Sequence, residues 1–270
     1  MIGLVQIAAL ANITSLNSIH LARPHYAYAV DRKDALFHEV AFMIPHPPLK
    51  HFLSKNRHLI QVTDVPKQFD WREYNMVGPV RKQGRCNSCF AMTSADQLDY
   101  WYKKKFGVFG VSPQTLLDCT HGGCNGGLME DVFKWHGPYG STKEYTGTRE
   151  HCTRPKTGVT VDKYVVLSEL DGDHDIENKL ASAVYKYGPI PVGIDATGSR
   201  FMTYRRGLIN HDQCNKIPNH AVTVVGYTPS TWIVKNSWGT KWGMDGYAHI
   251  ERGHNTCGIS SYASFATSVH

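Results

Sequence analysis

The chain of 270 residues is long enough for one large domain or two modest ones, each with its own hydrophobic core. Hydrophobic residues make up 41% and charged residues 19%, an ordinary globular balance that excludes a disordered or fibrous protein. The Lys and Arg behind the formal charge of +6 are scattered, which argues against nucleic-acid binding. The 15 histidines are dispersed without the spacing of metal ligands, so neither a metal site nor a cofactor is predicted.

The first 64 residues differ in composition from the remainder of the chain. Met1–Ala11 is apolar but too short to cross a bilayer, which takes roughly 20 residues, and no other stretch approaches that length. Near the end of this region, Pro45–Pro48 is predicted to be an extended linker. The chain is therefore predicted to be soluble, with no membrane partner.

Helical periodicity is clearest from Cys89 to Phe106. Apolar residues recur there at helical spacing, lysines occupy the last turn, and Gly107 follows as a stop signal. Two more helical stretches are predicted at Gly126–Trp135 and Asp175–Tyr187.

Short β-prone segments bounded by Gly, Pro, Ser or Asn dominate the last third of the chain. They are predicted at Ile190–Ala196, Ala221–Tyr227, Thr231–Lys235 and Tyr247–Glu251. A helical half followed by a β half favours an α+β protein with a mainly helical lobe at residues 65–170 and a mainly β lobe at 171–270. A ligand cleft is expected at the junction of the lobes.

The strongest local signal is the run QGRCNSCF at residues 83–90, directly before the long helix. Cys89 would lie at the helix N-terminus, where unpaired N–H groups and the helix dipole favour a thiolate. The side chain of Gln83 can donate a hydrogen bond to a developing oxyanion. Alone, the Cys86–Cys89 motif fits a catalytic nucleophile, a thiol–disulfide redox pair or half of a zinc site equally well. The zinc alternative lacks a second Cys-x-x-Cys motif.

Two further motifs lie in the β region. His220 leads into an apolar strand, and Asn236 follows the next strand in the run KNSWG. Taken singly, His220 would more often be a structural residue and Asn236 a turn residue. Taken together, Asn236 can accept the second ring N–H of His220 and fix its tautomer, with Trp238 shielding that bond.

Together these motifs resemble the papain and cathepsin L-type family of cysteine peptidases. That family carries a Cys-Gly-Ser-Cys-Trp signature with His and Asn about 130–150 residues downstream. Here His220 and Asn236 lie 131 and 147 residues after Cys89. The resemblance covers residues 65–270. Its further motifs are Phe69–Arg72, Leu116–Cys119, Gly123–Gly127, Gly188–Pro189, Ile194–Ala196 and Cys257–Ile259.

The resemblance implies a two-lobed papain-like α+β fold, with one mainly helical lobe, one β-barrel-like lobe and the active site in the cleft between them. It implies a cysteine endopeptidase that works through a thioester on Cys89, with His220 as the acid–base partner. Asn236 would orient the imidazole, and Gln83 would stabilise the oxyanion with the backbone N–H of Cys89. The resemblance implies no metal and no organic cofactor.

The seven cysteines predict three disulfides and one free thiol in a secreted-looking protein. The resemblance implies the pairs Cys86–Cys124, Cys119–Cys152 and Cys214–Cys257, which leave Cys89 free. Stable disulfides indicate an oxidising or lumenal compartment, and a lysosomal, vacuolar or secreted location is expected.

The resemblance also implies the residues that bind substrate. Asn125, Gly126 and Gly127 would pair with the substrate backbone. An apolar pocket is expected for P2, the second substrate residue before the scissile bond. The pocket residues are Leu128, Met129, Gly193, Pro218, Ala221 and Tyr262, and Asn219 and Trp238 complete the predicted substrate-binding set. Because this lining contains no acidic residue, Leu, Phe or Val is expected at P2.

Two residues beside the nucleophile depart from the family pattern. Phe90 replaces the usual Trp, and Asn87 replaces a Gly that lines the cleft. If that position required a positive φ, Asn would tolerate it better than most residues. These departures support one alternative function, a catalytically weak or silent homologue that binds peptides or inhibitors.

Residues 1–64 are predicted to be a partial inhibitory pro-segment. Asn12, Leu16 and His20 echo the spaced polar and apolar positions of the family's inhibitory helix. Cleavage between about residues 56 and 65 would release the mature enzyme. The expected partners are protein and peptide substrates, the chain's own pro-segment and cystatin-type inhibitors, and the protein is expected to be a monomer.

Overall fold

The computed structural model of the chain describes residues 62, 64–135, 137–141, 143–167 and 175–270. The chain divides into two compact units, Met1–Ala35 and Leu36–His270, and all the described residues lie in the second. The predicted pro-segment and its linker therefore lie outside the described residues, apart from Val62 and Asp64. In the described part of the chain, no helix is both long and apolar enough to cross a membrane.

The described residues form five helices. They are α1 (Cys89–Phe106), α2 (Pro113–Cys119), α3 (Met129–Phe133), α4 (Ile176–Tyr187) and α5 (Ser199–Met202), and single 3-10 turns lie at Gly123–Asn125, His211–Gln213 and Thr256–Gly258. Helix α1 has the predicted bounds, and it ends at Gly107, whose φ of 80° any side chain would oppose. Helix α3 is shorter than predicted, because Leu128 is extended rather than helical, with φ −101° and ψ 140°.

The described strands form one eight-stranded sheet. They are β1 (Phe69–Asp70), β2 (Val161–Leu167), β3 (Ile190–Ile194), β4 (Leu208–Ile209), β5 (His220–Tyr227), β6 (Thr231–Lys235), β7 (Tyr247–Glu251) and β8 (Ala263–Val269). Their order is β2-β8-β3-β5-β6-β7-β4, with β1 paired to β5 off this path. All pairs are antiparallel except β4 with β7.

The strand predictions succeed in the middle of the sheet and miss its far edge. Strands β6 and β7 have the predicted bounds, β3 ends two residues earlier, and β5 begins one residue earlier at His220. The pair β2 and β8 was not predicted, although it is long and regular from Tyr164 to Leu167. Strand β2 lies in the segment predicted to belong to the mainly helical lobe, yet it pairs with β8 of the predicted β lobe. The predicted boundary between the two lobes at residue 170 stays a prediction.

The hydrophobic core consists of two clusters, which supports the two-lobed α+β architecture. One cluster contains apolar side chains of α4 and the strands of the sheet. The other contains the buried face of α1 with α2 and α3, and it also takes in Ala221 and Tyr262 from the β region. The start of α1 and the start of β5 therefore meet where the two clusters adjoin.

A buried network of ion pairs and hydrogen bonds connects α1 to the sheet at this junction. Lys235 of β6 donates to Asp96 Oδ1 of α1 at 2.7 Å, and Thr223 of β5 donates to Asp96 Oδ2 at 2.9 Å. Arg81 pairs with both Asp96 and Asp99. Burial lowers the pKa of Lys235, with the charge of Asp96 acting in the opposite direction. Because Lys235 directly precedes Asn236, this network holds a predicted site residue in place.

Candidate active site

Cys89 is the first residue of α1 and is fully buried. Ser88 precedes it without a side-chain cap, and the first turn carries no acidic residue, so the helix N-terminus has no competing anion of its own. Burial raises the pKa of the Cys89 thiol to about 11, while backbone N–H groups of Ala221, Phe90 and Cys89 act in the opposite direction. A thiolate at this position therefore needs a positively charged neighbour.

His220 begins β5 and is also fully buried. Its Nε2 lies 2.8 Å from Asn236 Oδ1, which also accepts the backbone N–H of Ser237 at 2.8 Å. Because that oxygen can only accept, Nε2 carries the proton and Nδ1 is the ring nitrogen that can accept one. The ring centroid of Trp238 lies 4.8 Å from that of the imidazole, at 33° to it, so the indole packs against the histidine whose contact it is predicted to shield.

Strand β5 brings His220 and Cys89 to the same place. The backbone N–H of Ala221, the residue directly after His220, reaches the sulfur of Cys89. His220 in turn is paired in register with Ile194 on β3, which fixes the start of β5. Four predicted catalytic residues, Cys89, His220, Asn236 and Gln83, are thus all buried at this junction.

Gln83 is held at both ends of its amide. Its Nε2 donates to the backbone carbonyl of Cys86 at 3.0 Å, and its Oε1 accepts from the hydroxyl of Ser237 at 2.6 Å. The Nε2 group carries a second hydrogen that can serve an oxyanion. Ser237 was not predicted as a site residue, yet it links Gln83 to Asn236. The one feature of the sequence that could have indicated its role is its position directly after Asn236.

Tyr145 is a second residue that sequence reasoning missed. Its hydroxyl donates to the backbone carbonyl of Gln83 at 2.8 Å and lies 2.6 Å from the hydroxyl of Ser88. Since a hydroxyl has one hydrogen, Tyr145 accepts from Ser88. It therefore stabilises the segment from Gln83 to Ser88 that directly precedes Cys89. No local motif marks it.

The structure forms the three implied disulfides, Cys86–Cys124, Cys119–Cys152 and Cys214–Cys257, and leaves Cys89 as a thiol. A redox pair would require Cys86 and Cys89 to be available to each other. Because Cys86 is bonded to Cys124, the redox and zinc interpretations of this motif lose their second ligand or partner.

The Cys86–Cys124 disulfide joins the loop before Cys89 to the segment predicted to bind the substrate backbone. Asn87 donates its backbone N–H to Cys124 at 3.3 Å, and its φ is not positive, so the departure from Gly causes no backbone strain. Gly126 has φ 96°, a conformation that side chains oppose. A Cβ on Gly127 would lie 3.0 Å from the Phe90 ring, so Phe90 packs directly against this segment. Asn125 is the last residue of the 3-10 turn that directly precedes Gly126.

The predicted P2 residues converge on one apolar region. Four of them belong to the same buried cluster as Cys89; these are Leu128, Met129, Ala221 and Tyr262. Gly193 lies close to Pro218 and Tyr262. A Cβ on Gly193 would lie 2.9 Å from Pro218 and 3.5 Å from the Tyr262 ring. The buried Tyr262 ring thus packs beside the space that Gly193 leaves open by having no side chain.

The Asn219 side chain forms its hydrogen bonds within the protein, and its predicted contact with substrate stays a prediction. Its Nδ2 donates to Asp195 at 2.7 Å, and its Oδ1 accepts the backbone N–H of Ala196 at 3.0 Å. Hydrogen bonds from Thr197, Asn219 and Asn215 outweigh the effect of burial and lower the pKa of Asp195. The Asn219 side chain therefore positions the loop that follows β3.

A cavity of about 980 Å³ lies away from this site. It is lined by residues of three segments, 65–67, 176–178 and 252–255, together with Lys216, Tyr227 and Pro229. None of the predicted catalytic or substrate-binding residues lines it. The chemistry of Cys89 and His220, rather than the cavity volume, locates the candidate active site.

Known proteins resemble this chain in sequence. Residues 65–267 match the family model of the papain family cysteine proteases. The chain is 37% identical over 222 residues to cathepsin L of Sarcophaga peregrina, covering 75% of this chain and 64% of that protein. It is 38% identical over 219 residues to cathepsin K of Mus musculus, covering 74% and 64%.

Solved structures show the same likeness. The bromelain protease from Ananas comosus, in complex with the E64 inhibitor, superposes with a TM-score of 0.67 at 32% identity, covering 75% of this chain and 99% of that one. The chain spans slightly less than two thirds of the length of the curated relatives it matches. Since the family match covers most of the sequence, this chain belongs to the papain family of cysteine proteases.

Proposed function

We propose that the chain is a cysteine endopeptidase that hydrolyses peptide bonds through a thioester on Cys89. One observation carries the proposal: the buried thiol lies at the uncapped N-terminus of α1, beside the start of β5, whose first residue is a histidine oriented by Asn236. No cofactor enters the proposed cycle.

The resting pair follows from the burial of the thiol. A thiol with a pKa of about 11 stays protonated at neutral pH, and a lone thiolate is costly in this environment. Transfer of the proton to Nδ1 of His220 forms a thiolate and an imidazolium that compensate each other. The helix N-terminus and the backbone N–H of Ala221 favour the thiolate further.

Acylation follows from this pair. The thiolate attacks the scissile carbonyl carbon, and the electron pair of the C=O bond moves to the oxygen, which accepts from Gln83 Nε2 and the Cys89 backbone N–H. His220 then protonates the leaving nitrogen as the C–N bond breaks. In the second half, His220 removes a proton from water, which attacks the thioester and releases the carboxylic product with the thiol.

Cys89→Ala is expected to abolish turnover, by about 10⁶-fold, because no other group can form the thioester. Activity should be measured after acid activation under mild reduction, with a Phe-Arg or Leu-Arg fluorogenic peptide, with and without an epoxide inhibitor of thiols. Near-ultraviolet circular dichroism checks that the variant keeps its fold. A single inhibitor adduct on Cys89 of the unmutated protein completes the expected result.

Turnover retained by Cys89→Ala would refute the mechanism. If the correctly processed, unmutated protein shows neither turnover nor labelling, the silent-homologue alternative replaces the endopeptidase, and Phe90 and Asn87 become the residues to revert.

We also propose that the protease prefers Leu, Phe or Val at P2, because the predicted lining there is apolar and the bulky Tyr262 ring belongs to it. Tyr262→Ala is expected to raise kcat/KM for Phe at P2 about tenfold relative to Val, since a larger pocket rewards the larger side chain. A fluorogenic peptide series that varies P2 measures the ratio, with the exposed Tyr185→Ala as the control. A wild-type profile dominated by Arg, or an unchanged ratio in the variant, would contradict this preference.

The proposed partners and location follow from the same function. Protein and peptide substrates, the pro-segment and cystatin-type inhibitors are the proposed partners. Three disulfides support an oxidising compartment, and a lysosomal, vacuolar or secreted location is proposed.

A further inference from the structure

Three metal-ligating side chains meet on the surface of the β region. They are His211, Glu251 and His254, and one ligand atom from each lies within 4.8 Å of the other two. His211 Nδ1 is 2.8 Å from Glu251 Oε2, and His254 Nε2 is 3.8 Å from Glu251 Oε1. We propose that these three residues form a binding site for a divalent transition metal, with Zn²⁺ as the best match.

The donor set fits zinc. Two imidazole nitrogens and one carboxylate oxygen form a recurrent set of protein ligands for Zn²⁺, and a water completes the tetrahedron. Tetrahedral bonds of about 2.0–2.2 Å place ligand atoms roughly 3.3–3.6 Å apart. One carboxylate oxygen lies 2.8 Å from His211 Nδ1 and the other lies 3.8 Å from His254 Nε2, one distance below that range and one above it. The half-exposed imidazoles, 52% for His211 and 55% for His254, are free to make the remaining small adjustment.

Backbone structure brings the ligands together before any metal binds. Strand β4 pairs in parallel with β7 so that Ile209 lies opposite Ile250, and the chain that continues past these two residues brings His211 close to Glu251. The backbone N–H of His211 also donates to Glu251 Oε2 at 2.8 Å, so the carboxylate is already oriented. The backbone and the carboxylate therefore have little conformational freedom left to lose on binding, whereas the two imidazoles still have to be ordered.

A disulfide closes the other side of the site. Cys214 and Cys257 join the segment that carries His211 to the segment that carries Glu251 and His254. The two imidazole rings stack with centroids 4.5 Å apart and planes at 28°. Strand pairing on one side and the disulfide on the other therefore hold both segments.

The proposed site is separate from the active site. On the β6–β7 hairpin, Thr231 pairs with Glu251, whereas Lys235, next to Asn236, pairs with Tyr247. Four residues of strand, roughly 13 Å, separate these positions. Metal binding is thus expected to stabilise the fold rather than to take part in peptide hydrolysis. It also revises the sequence-based prediction of no metal site, because the ligands come from segments about 40 residues apart that only the fold brings together.

Zinc binding tests the proposal in the full chain carrying Cys89→Ala, which removes the Cys89 thiol as a competing ligand. Titration with Zn²⁺, followed by calorimetry and by Tm, is expected to show one metal per chain and a rise in Tm. His211→Ala and His254→Ala should each weaken binding at least about tenfold, since losing even an outer partner of a ligand costs 10–100-fold. His151→Ala, at an exposed histidine elsewhere, is the matched control and should bind as the parent does.

Glu251→Gln keeps the shape of the ligand and removes its charge. The loss of Zn²⁺ affinity in this variant therefore measures the contribution of the carboxylate without a change in packing. The parent should also give the intense visible absorption of tetrahedral Co²⁺, and this absorption should be lost in His211→Ala. A Tm that does not respond to Zn²⁺, or equal affinity in the parent and in the His211→Ala/His254→Ala double variant, would overturn the proposal.

Discussion

His220→Ala is expected to move the reactivity of Cys89 with iodoacetamide from neutral pH to values near 11. Only the thiolate reacts, and burial raises the pKa of the thiol to about 11 when no charged imidazole is present to favour ionisation. At pH 7 the thiolate fraction, and with it the alkylation rate, should fall about 10⁴-fold for four pH units. Peptide turnover should fall by about 10⁶-fold, because the variant lacks its general acid as well.

The pH dependence of alkylation in the mature protein measures this shift, with the mass of the adduct confirming Cys89 as its site. His249→Ala is the matched control, since His249 is a partly buried histidine on β7 outside the site. Asn236→Ala should give a smaller loss, because the imidazole remains but is no longer held in one orientation. If His220→Ala is alkylated at pH 7 as fast as the parent, the backbone N–H groups alone support the thiolate and the proposed ion pair is wrong.

The sequence predicts well those elements whose pattern is local. Helix α1 has a repeating apolar face and a Gly107 stop, and β6 and β7 are short apolar runs between turn residues. Strand β8, in contrast, reads ASFATSV, whose small and polar residues carry a weak strand signal, and its pairing with β2 supplies what the local sequence lacks. Helix α2 was missed despite a local signal, since Ser112 accepts from Gln114 N at 3.2 Å and Pro113 occupies the first turn.

The same distinction holds for the candidate site. The proposed catalytic residues could be identified in the sequence because their types and spacing follow a known family pattern. Ser237 and Tyr145 act through contacts with the backbone and side chain of Gln83, up to 154 residues away in sequence, and a single sequence does not reveal such contacts. The metal-ligating cluster of His211, Glu251 and His254 is of this second kind, because its ligands meet only through strand pairing and a disulfide.

Asp96→Asn is expected to lower the free energy of unfolding by about 3–5 kcal/mol, the usual cost of removing one partner from a buried ion pair. Lys235 is 1% exposed and would keep its charge beside a neutral amide, and Arg81 would lose one of its two carboxylates. Thr223 would also lose a charged acceptor. Denaturant unfolding of the mature Cys89→Ala protein measures the loss, with the exposed Asp212→Asn expected within about 0.5 kcal/mol of the parent.

A double variant separates the charge effect from packing. Adding Lys235→Met to Asp96→Asn removes one stranded charge and should recover part of the lost stability, so the two effects are not additive. A loss below about 1 kcal/mol for Asp96→Asn would contradict a buried, mutually dependent network. Because Lys235 directly precedes Asn236, the same variant should also loosen the amide that orients His220. The network therefore links the stability of the junction between α1 and the sheet to the geometry on which the proposed thiolate–imidazolium pair depends.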